Sequence, residues 1–182
     1  MALSYAFTGV ALRSTGVKWD LRKSTPYELY KNIKFNIPYS IKGDCYDRYI
    51  LRIQELFQSN NILSELVYNL PKGQIKTLNY KVVPPSKSEM KQTIQGLIFH
   101  FQFFSNKLSL PTGEVYVGVE APKGEFGIFL ISDGSVIPYR CKIRSPGFFH
   151  LQGINYLSKG LFLADVVTII GTLDIVFGEV DR

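Results

Sequence analysis

The chain has 182 residues, 46% hydrophobic, 14% aromatic and 20% charged, with a net charge of +6, which suits one domain, or one and a half, with enough apolar mass for a core. Its two cysteines, Cys45 and Cys141, lie far apart with no CxxC or Cys/His cluster, which excludes a self-contained zinc or iron–sulfur site and a disulfide framework. No apolar run reaches the roughly 18 residues of a membrane-spanning helix, and "MALSYAFTGV" lacks the basic start and apolar core of a signal or transit peptide.

The positive charge is uneven. Residues 1–91 hold 14 Lys/Arg and 7 Asp/Glu, a net +7, and residues 92–182 hold 7 and 8, a net −1. A basic half can face nucleic acid, anionic lipid or an acidic partner. Here the charges are scattered rather than run together, which is the pattern of a solvated face.

Residues 1–43 show little periodicity and read as an ordered, irregular docking segment, with Trp19 beside Asp20 and Arg22. From Asp44, a predicted N-cap, apolar residues recur at three and four: Tyr46, Tyr49, Ile50, Ile53, Leu56, Phe57, Leu63, Leu66 and Val67. This spacing predicts a long helix ending near Leu70, with Asp47, Arg48, Arg52, Glu55 and Gln58 on the opposite, solvent face. Asp44 and Arg48 form an i,i+4 acid–base pair. Ser86 with Glu89 is a capping box and opens a second helix striped by Met90, Ile94, Leu97, Ile98, Phe101 and Phe104. His100 lies mid-helix with no His or carboxylate at i±3 or i±4, the placing of a structural residue rather than a ligand. Residues 44–110 are thus a two-helix region.

Residues 111–146 turn β. "GEVYVGVEAP", "GEFGIFLISDG" and "VIPYRCKIRSP" are three Val/Ile/Phe/Tyr-rich runs separated by turn signals, an antiparallel meander. Residues 147–182 read as a short helix over "GFFHLQGINYLSKG", a helix over "LADVVTIIGT" stopped by Gly171, and a buried terminal segment, "GTLDIVFGEVDR". The fold class is α+β. No standard catalytic constellation appears: Gly-x-Ser-x-Gly, a P-loop and G-x-G-x-x-G are all absent. Glu120 and Glu125 flank a hairpin turn as solvated or ion-paired acids. Arg140, Lys142 and Arg144 alternate on one strand and share a face that wants an acidic or phosphate partner. By residues alone this is a basic α+β subunit without its own active site.

Several stretches resemble one family. "GDCYDRYILRIQEL", "VEAPKGEFGIFLISDGSVIPYRCKIRSPGFFHL", "LADVVTIIGTLDIVFGEVDR" and, upstream, "GVALRSTGVKWDLRKSTPYELY" are similar to the 49 kDa subunit of respiratory complex I, NADH:ubiquinone oxidoreductase. The resemblance runs over essentially the whole chain, but covers only the C-terminal part of a subunit about twice as long. The chain therefore reads as the C-terminal piece of a split subunit. The family descends from the large subunit of nickel–iron hydrogenases, so the resemblance implies that C-terminal fold with the metal-binding cysteines lost and the former cavity turned to quinone binding. By the match, Ile169, Asp174 and Val176 line the quinone and inhibitor pocket, with Phe177 and Arg182 as neighbours. Ile169, Val176 and Phe177 suit apolar walls around a flat ring. Asp174 tunes a neighbouring charge, or alternatively only caps a helix or pairs with a base. Glu179, Asp181 and Arg182 are expected to anchor the end by ion pairs.

The resemblance further implies a subunit of a proton-translocating NADH:ubiquinone reductase that binds no cofactor by itself. Ubiquinone is substrate at a shared pocket, the terminal [4Fe-4S] cluster lies in the neighbouring small subunit, and NADH and FMN sit elsewhere in the complex. The implied partners are the N-terminal half of the same subunit, that small subunit, a 30 kDa-type subunit and a membrane-arm subunit, with no nucleic acid. The implied place is the matrix side of the mitochondrial inner membrane, peripheral. The alternatives are a plastid-type complex, an assembly-only structural subunit and a basic nucleic-acid module.

Overall fold

The computed structural model describes residues 1–77, 79, 83–105 and 110–181. They divide into two compact units, Met1–Asn69 with Tyr116–Phe129 and Lys142–Arg182, and Leu70–Val115 with Leu130–Cys141. The class is α+β: helices and a three-stranded antiparallel sheet of order β1-β2-β3, made of β1 (Gly113–Ala121), β2 (Gly124–Ser132) and β3 (Arg140–Arg144). The meander expected from the three apolar runs is present.

The first segment is less irregular than its sequence suggests. It holds two short helices, α1 (Gly9–Arg13) and α2 (Leu21–Ser24). Neither reaches two turns, so neither shows helical periodicity, and packing rather than propensity holds them. Every residue of α1 is buried. Asp20 caps α2, its carboxylate accepting from the Arg22 N–H at 2.9 Å. Phe7, Ala11 and Leu12 pack with Ile169 and Leu173 as the core of the larger unit. Gly9 adopts φ +62°, and a Cβ there would lie 2.6 Å from the Gly124 Cα, so α1 rests directly on the β1–β2 turn.

α3 (Cys45–Tyr68) begins where Asp44 predicts, with the Asp44 carboxylate accepting from the Asp47 N–H at 2.7 Å. Its faces are partly reversed from expectation, although Leu66 of the apolar stripe packs against a core cluster and Ile50 and Ile53 are half-buried. Tyr46, Tyr49, Leu56, Phe57, Leu63 and Val67 are exposed, while Asp47, Arg48, Leu51 and Ile62 are buried. The charged face turns inward because fixed partners replace the water it loses. Asp47 accepts from the Ser40 hydroxyl and from the Lys42 N–H, and the Ser40 bond holds its carboxyl below the usual range. Arg48 does not pair with Asp44. Its guanidinium donates to the Gly43 carbonyl at 2.8 Å, the Cys45 sulfur at 3.0 Å and the Thr172 hydroxyl at 3.2 Å. Further along α3, Ile62 packs with Phe35 and Ile37 in a second cluster.

In the smaller unit the single helix expected from Ser86 is two: α4 (Lys87–Gln92) and α5 (Ile94–Ser105). The Ser86 hydroxyl accepts from the Glu89 N–H at 3.2 Å, the N-cap half of the expected capping box. Thr93 is extended, and its hydroxyl donates to the Glu89 carbonyl and accepts from the Gly96 N–H, closing one helix and opening the next. Ile94, Phe101 and Phe104 of the expected stripe are exposed. The His100 ring lies against Phe104, centroids 4.7 Å apart.

The chain then forms α6 (Pro146–Gln152) and α7 (Ile154–Leu157), one predicted helix broken at Gly153, where the Phe7 ring fills the space of a Cβ. α8 (Leu163–Leu173) runs past Gly171, and α9 (Phe177–Val180) follows. The Phe162 N–H donates to Asp165 at 3.0 Å at the start of α8.

Candidate functional site

The site is built where α8 ends. Asp174 is its C-cap, in the left-handed conformation at φ 57°, ψ 49°. Such a cap normally favours glycine or asparagine. Here two cations hold the carboxylate in place. Lys123 lies at 3.1 Å and Arg52 at 3.5 Å. Lys123 also donates to the Asp174 carbonyl at 3.0 Å, and Arg52 to the Thr172 carbonyl at 3.1 Å. These carbonyls are among those a helix leaves unsatisfied at its C-terminus, where positive charge is favoured. α3 and the β1–β2 turn thus fix the end of α8 from two directions.

The residues expected to line a pocket separate into two groups. Ile169 is 4% exposed and faces the core with Phe7 and Leu12. Asp174, Val176 and Phe177 follow one another beyond α8, with Val176 at 47% and Phe177 at 66% exposure. The terminal segment, expected to be buried, is covered by its own chain at Leu173 and partly at Ile175 but not at Val176 or Phe177. Its anchoring is by hydrogen bonds: the Glu179 carboxylate accepts from the Gly147 N–H at 3.2 Å, and its carbonyl from the Ser145 hydroxyl at 3.2 Å. Arg182 lies outside the described residues.

A second charged centre lies in the same unit. Arg13 is 2% exposed on its side chain, meeting Glu55 at 2.6 Å and Glu120 at 2.7 Å, with Asp20 at 3.8 Å. Asp20 is itself gripped by Arg22 at 2.7 Å. Burial raises the Glu120 carboxyl above its ordinary range, against the opposing pull of Arg13. Of the two hairpin acids, Glu120 is therefore a buried ion-pair member, and Glu125 pairs with Arg144 at 3.1 Å. Arg144 also lies over the Phe149 ring at 4.9 Å, which removes it from the basic strip read on β3. Sequence reasoning missed Arg13, Glu55 and His150, because the Arg13–Glu55, Arg13–Glu120 and Thr8–His150 contacts join residues more than 40 positions apart and leave no local pattern.

His150, on α6, is fully buried. Its Nε2 accepts from the Thr8 N–H at 3.3 Å, so the neutral ring carries its proton on Nδ1, and the Phe7 edge packs on it at 5.3 Å. Burial, reinforced by Arg52 and Arg144, pushes its pKa from 6.5 down to about 4. The unfolded chain takes up a proton near 6.5 and the folded one does not until about 4. Stability is therefore expected to fall by about 3 kcal/mol as pH drops through that window. Urea midpoints across pH check this: His150→Phe should flatten the slope between the two values, and an unchanged slope would refute the assignment.

Among the described residues no three His, Cys, Asp or Glu side chains are grouped as metal ligands, and Cys45 and Cys141 are free thiols. No helix among them is long and apolar enough to cross a membrane.

The model of the respiratory-chain NADH dehydrogenase 49 kDa subunit family matches residues 1–182. The chain belongs to that family. It is 55% identical over 181 residues to the NADH-ubiquinone oxidoreductase 49 kDa subunit of Reclinomonas americana, covering 100% of this chain and 46% of that protein. It is 54% identical over 181 residues to the corresponding subunit of Prototheca wickerhamii, covering 100% of this chain and 45% of that protein. It is 54% identical over 181 residues to the 49 kDa subunit of Acanthamoeba castellanii, again 100% and 45%. The chain thus spans under half the length of the curated relatives it matches. The 49 kDa subunit family is accordingly represented here by the stretch carrying the Asp174 cap and the Arg13 cluster.

Proposed function

We propose that this chain forms part of the quinone-reduction module of a proton-translocating NADH:ubiquinone oxidoreductase, with Asp174, Val176 and Phe177 at the edge of a ubiquinone pocket completed by other chains. Ile169 backs this edge from the core. The observation that carries the reading is the exposed Val176–Phe177 pair set beside a carboxylate held in a left-handed turn by Arg52 and Lys123. Exposed apolar side chains on a rigid mount suit a flat apolar ring. Asp174 balances the two cations and holds the turn that presents Val176. Reduction of a quinone to a quinol takes two electrons and two protons. The electrons come from a [4Fe-4S] cluster in the neighbouring small subunit, fed from NADH through FMN elsewhere in the complex, and the reaction is coupled to proton pumping.

The partly reversed faces of α3 support partners of this kind. Its exposed stripe of Tyr46, Tyr49, Leu56, Phe57 and Leu63 is apolar surface that a folded assembly would cover. The partner that would cover it is the rest of a 49 kDa subunit, of which this chain spans under half the relatives' length. The small subunit, a 30 kDa-type subunit and a membrane-arm subunit complete the surroundings, on the matrix side of the mitochondrial inner membrane.

Val176→Met and Asp174→Asn in the assembled complex test the pocket. Each is expected to change the quinone reductase rate or the inhibitor concentration for half effect by about threefold to tenfold, the scale of one or two added or lost contacts, with assembly intact. Normal kinetics and inhibitor response in both variants would defeat the reading and leave an assembly-only role.

A further inference from the structure

The larger unit carries a basic concavity. α2, the loop after it and α3 enclose about 590 Å³. Four cations border it, Arg22, Lys23, Lys31 and Lys34, and no carboxylate among the described residues does. Arg22 spends its Nε and Nη2 on Asp20, at 3.0 and 2.7 Å, leaving Nη1 without a partner among the described residues. Its guanidinium and the Lys23 ammonium both lie over the Phe35 ring, at 4.8 and 4.9 Å. Lys31 and Lys34 make no ion pair among the described residues. On the α3 wall the Gln58 carbonyl accepts from the Asn36 N–H at 3.1 Å, which leaves its amide NH2 to donate.

Apart from the neutral amides and the Tyr30 hydroxyl, the polar side-chain groups bordering it are all cationic donors. Arg22 has Asp20 as counter-ion, but Lys23, Lys31 and Lys34 have none among the described residues; like charges so gathered repel one another, and a bound anion relieves that repulsion. A phosphate group presents only acceptor oxygens to such a set and forms strong charge-assisted bonds with Arg and Lys. The cations converge on a concavity rather than along an edge or helix groove, where extended peptides bind. We propose that this concavity binds a phosphate-bearing anion, either a free phosphorylated small molecule or the headgroup of an anionic phospholipid. It gives a physical place to part of the excess charge in residues 1–91.

The test uses the full chain with two probes: inorganic pyrophosphate by equilibrium dialysis, and phosphatidylcholine vesicles with and without phosphatidic acid by co-sedimentation. The variant K31Q/K34Q is compared with K72Q/K76Q, which removes the same charge from the other unit. Saturable binding of either probe, weakened at least about tenfold by K31Q/K34Q and less than about twofold by the control, supports the site. Pyrophosphate binding identifies a free ligand, and binding to the acidic vesicles alone identifies a headgroup. Equal loss in both variants, no saturable binding of either probe, or pocket-dependent binding only of an oligoglutamate peptide overturns it. None of the substituted residues touches Asp174, Val176 or Phe177, so the quinone reading stands or falls separately.

Discussion

Arg13→Met is expected to lower unfolding stability by about 3–5 kcal/mol, the cost of leaving buried charge uncompensated. Glu120, whose side chain is 4% exposed, loses its principal cation, and Glu55 loses the same partner. Asp20 keeps Arg22, so the damage concentrates on the two glutamates. The Trp19 carbonyl also loses the Arg13 Nη1 donor it holds at 3.1 Å. Adding Glu120→Gln should recover about 1–2 kcal/mol of that loss. It removes the stranded charge yet keeps an oxygen to accept from the Leu21 N–H. Urea denaturation of the single and double variants measures both effects. If R13M costs no more than the surface change K159M, the cluster is not a structural centre.

Gly9→Ala is expected to cost about 3 kcal/mol or more, the sum of a left-handed backbone conformation and overpacking. The new Cβ would lie 2.6 Å from the Gly124 Cα, 2.9 Å from its nitrogen and 3.0 Å from the Lys123 carbonyl. All three are backbone atoms of the hairpin turn and cannot rotate aside, so the turn itself must move. Lys123 moves with it, and its contact with Asp174 is lost or lengthened. Gly160→Ala separates the two costs, since Gly160 has φ +80° and nothing within 4 Å of an added Cβ. G160A should lose only the backbone contribution, about 1–2 kcal/mol. Thermal or urea unfolding that shows equal losses for G9A and G160A would mean that the hairpin yields freely.

Local signals in the sequence were legible where the physics is local. Asp44 and Ser86 cap helices because a short polar side chain can reach an N–H three residues on, and both do so. The three strands were visible because alternation and turn residues act over a few positions. Three features were not visible. Thr93 splits one expected helix because its hydroxyl serves both neighbours, which apolar periodicity does not report. α1 and α2 are held by contacts with distant residues. α3 turns Asp47 and Arg48 inward because hydrophobicity predicts the inward face only when water is the alternative. Here Asp47 and Arg48 find fixed partners inside their own chain, and most of the apolar stripe stays exposed. At the site, the family resemblance pointed to Asp174, Val176 and Phe177, but the cations that hold Asp174 come from a helix and a hairpin distant in sequence.

The larger unit is assembled from three separated stretches of chain, and this bears on the order in which it can form. Arg13 meets Glu120 across 107 positions, and Thr8 meets His150 across 142. Contacts of such separation fold slowly, because loop closure comes before any reward. During synthesis at roughly 5–20 residues per second, Arg13 waits several seconds for Glu120 to be made, and Phe7 waits longer for α8. Over that interval Phe7 and Leu12 lack Ile169 and Leu173, the side chains of α8 with which they form the core. The architecture that fixes Asp174 so firmly in the finished protein therefore makes its early life dependent on being shielded from aggregation.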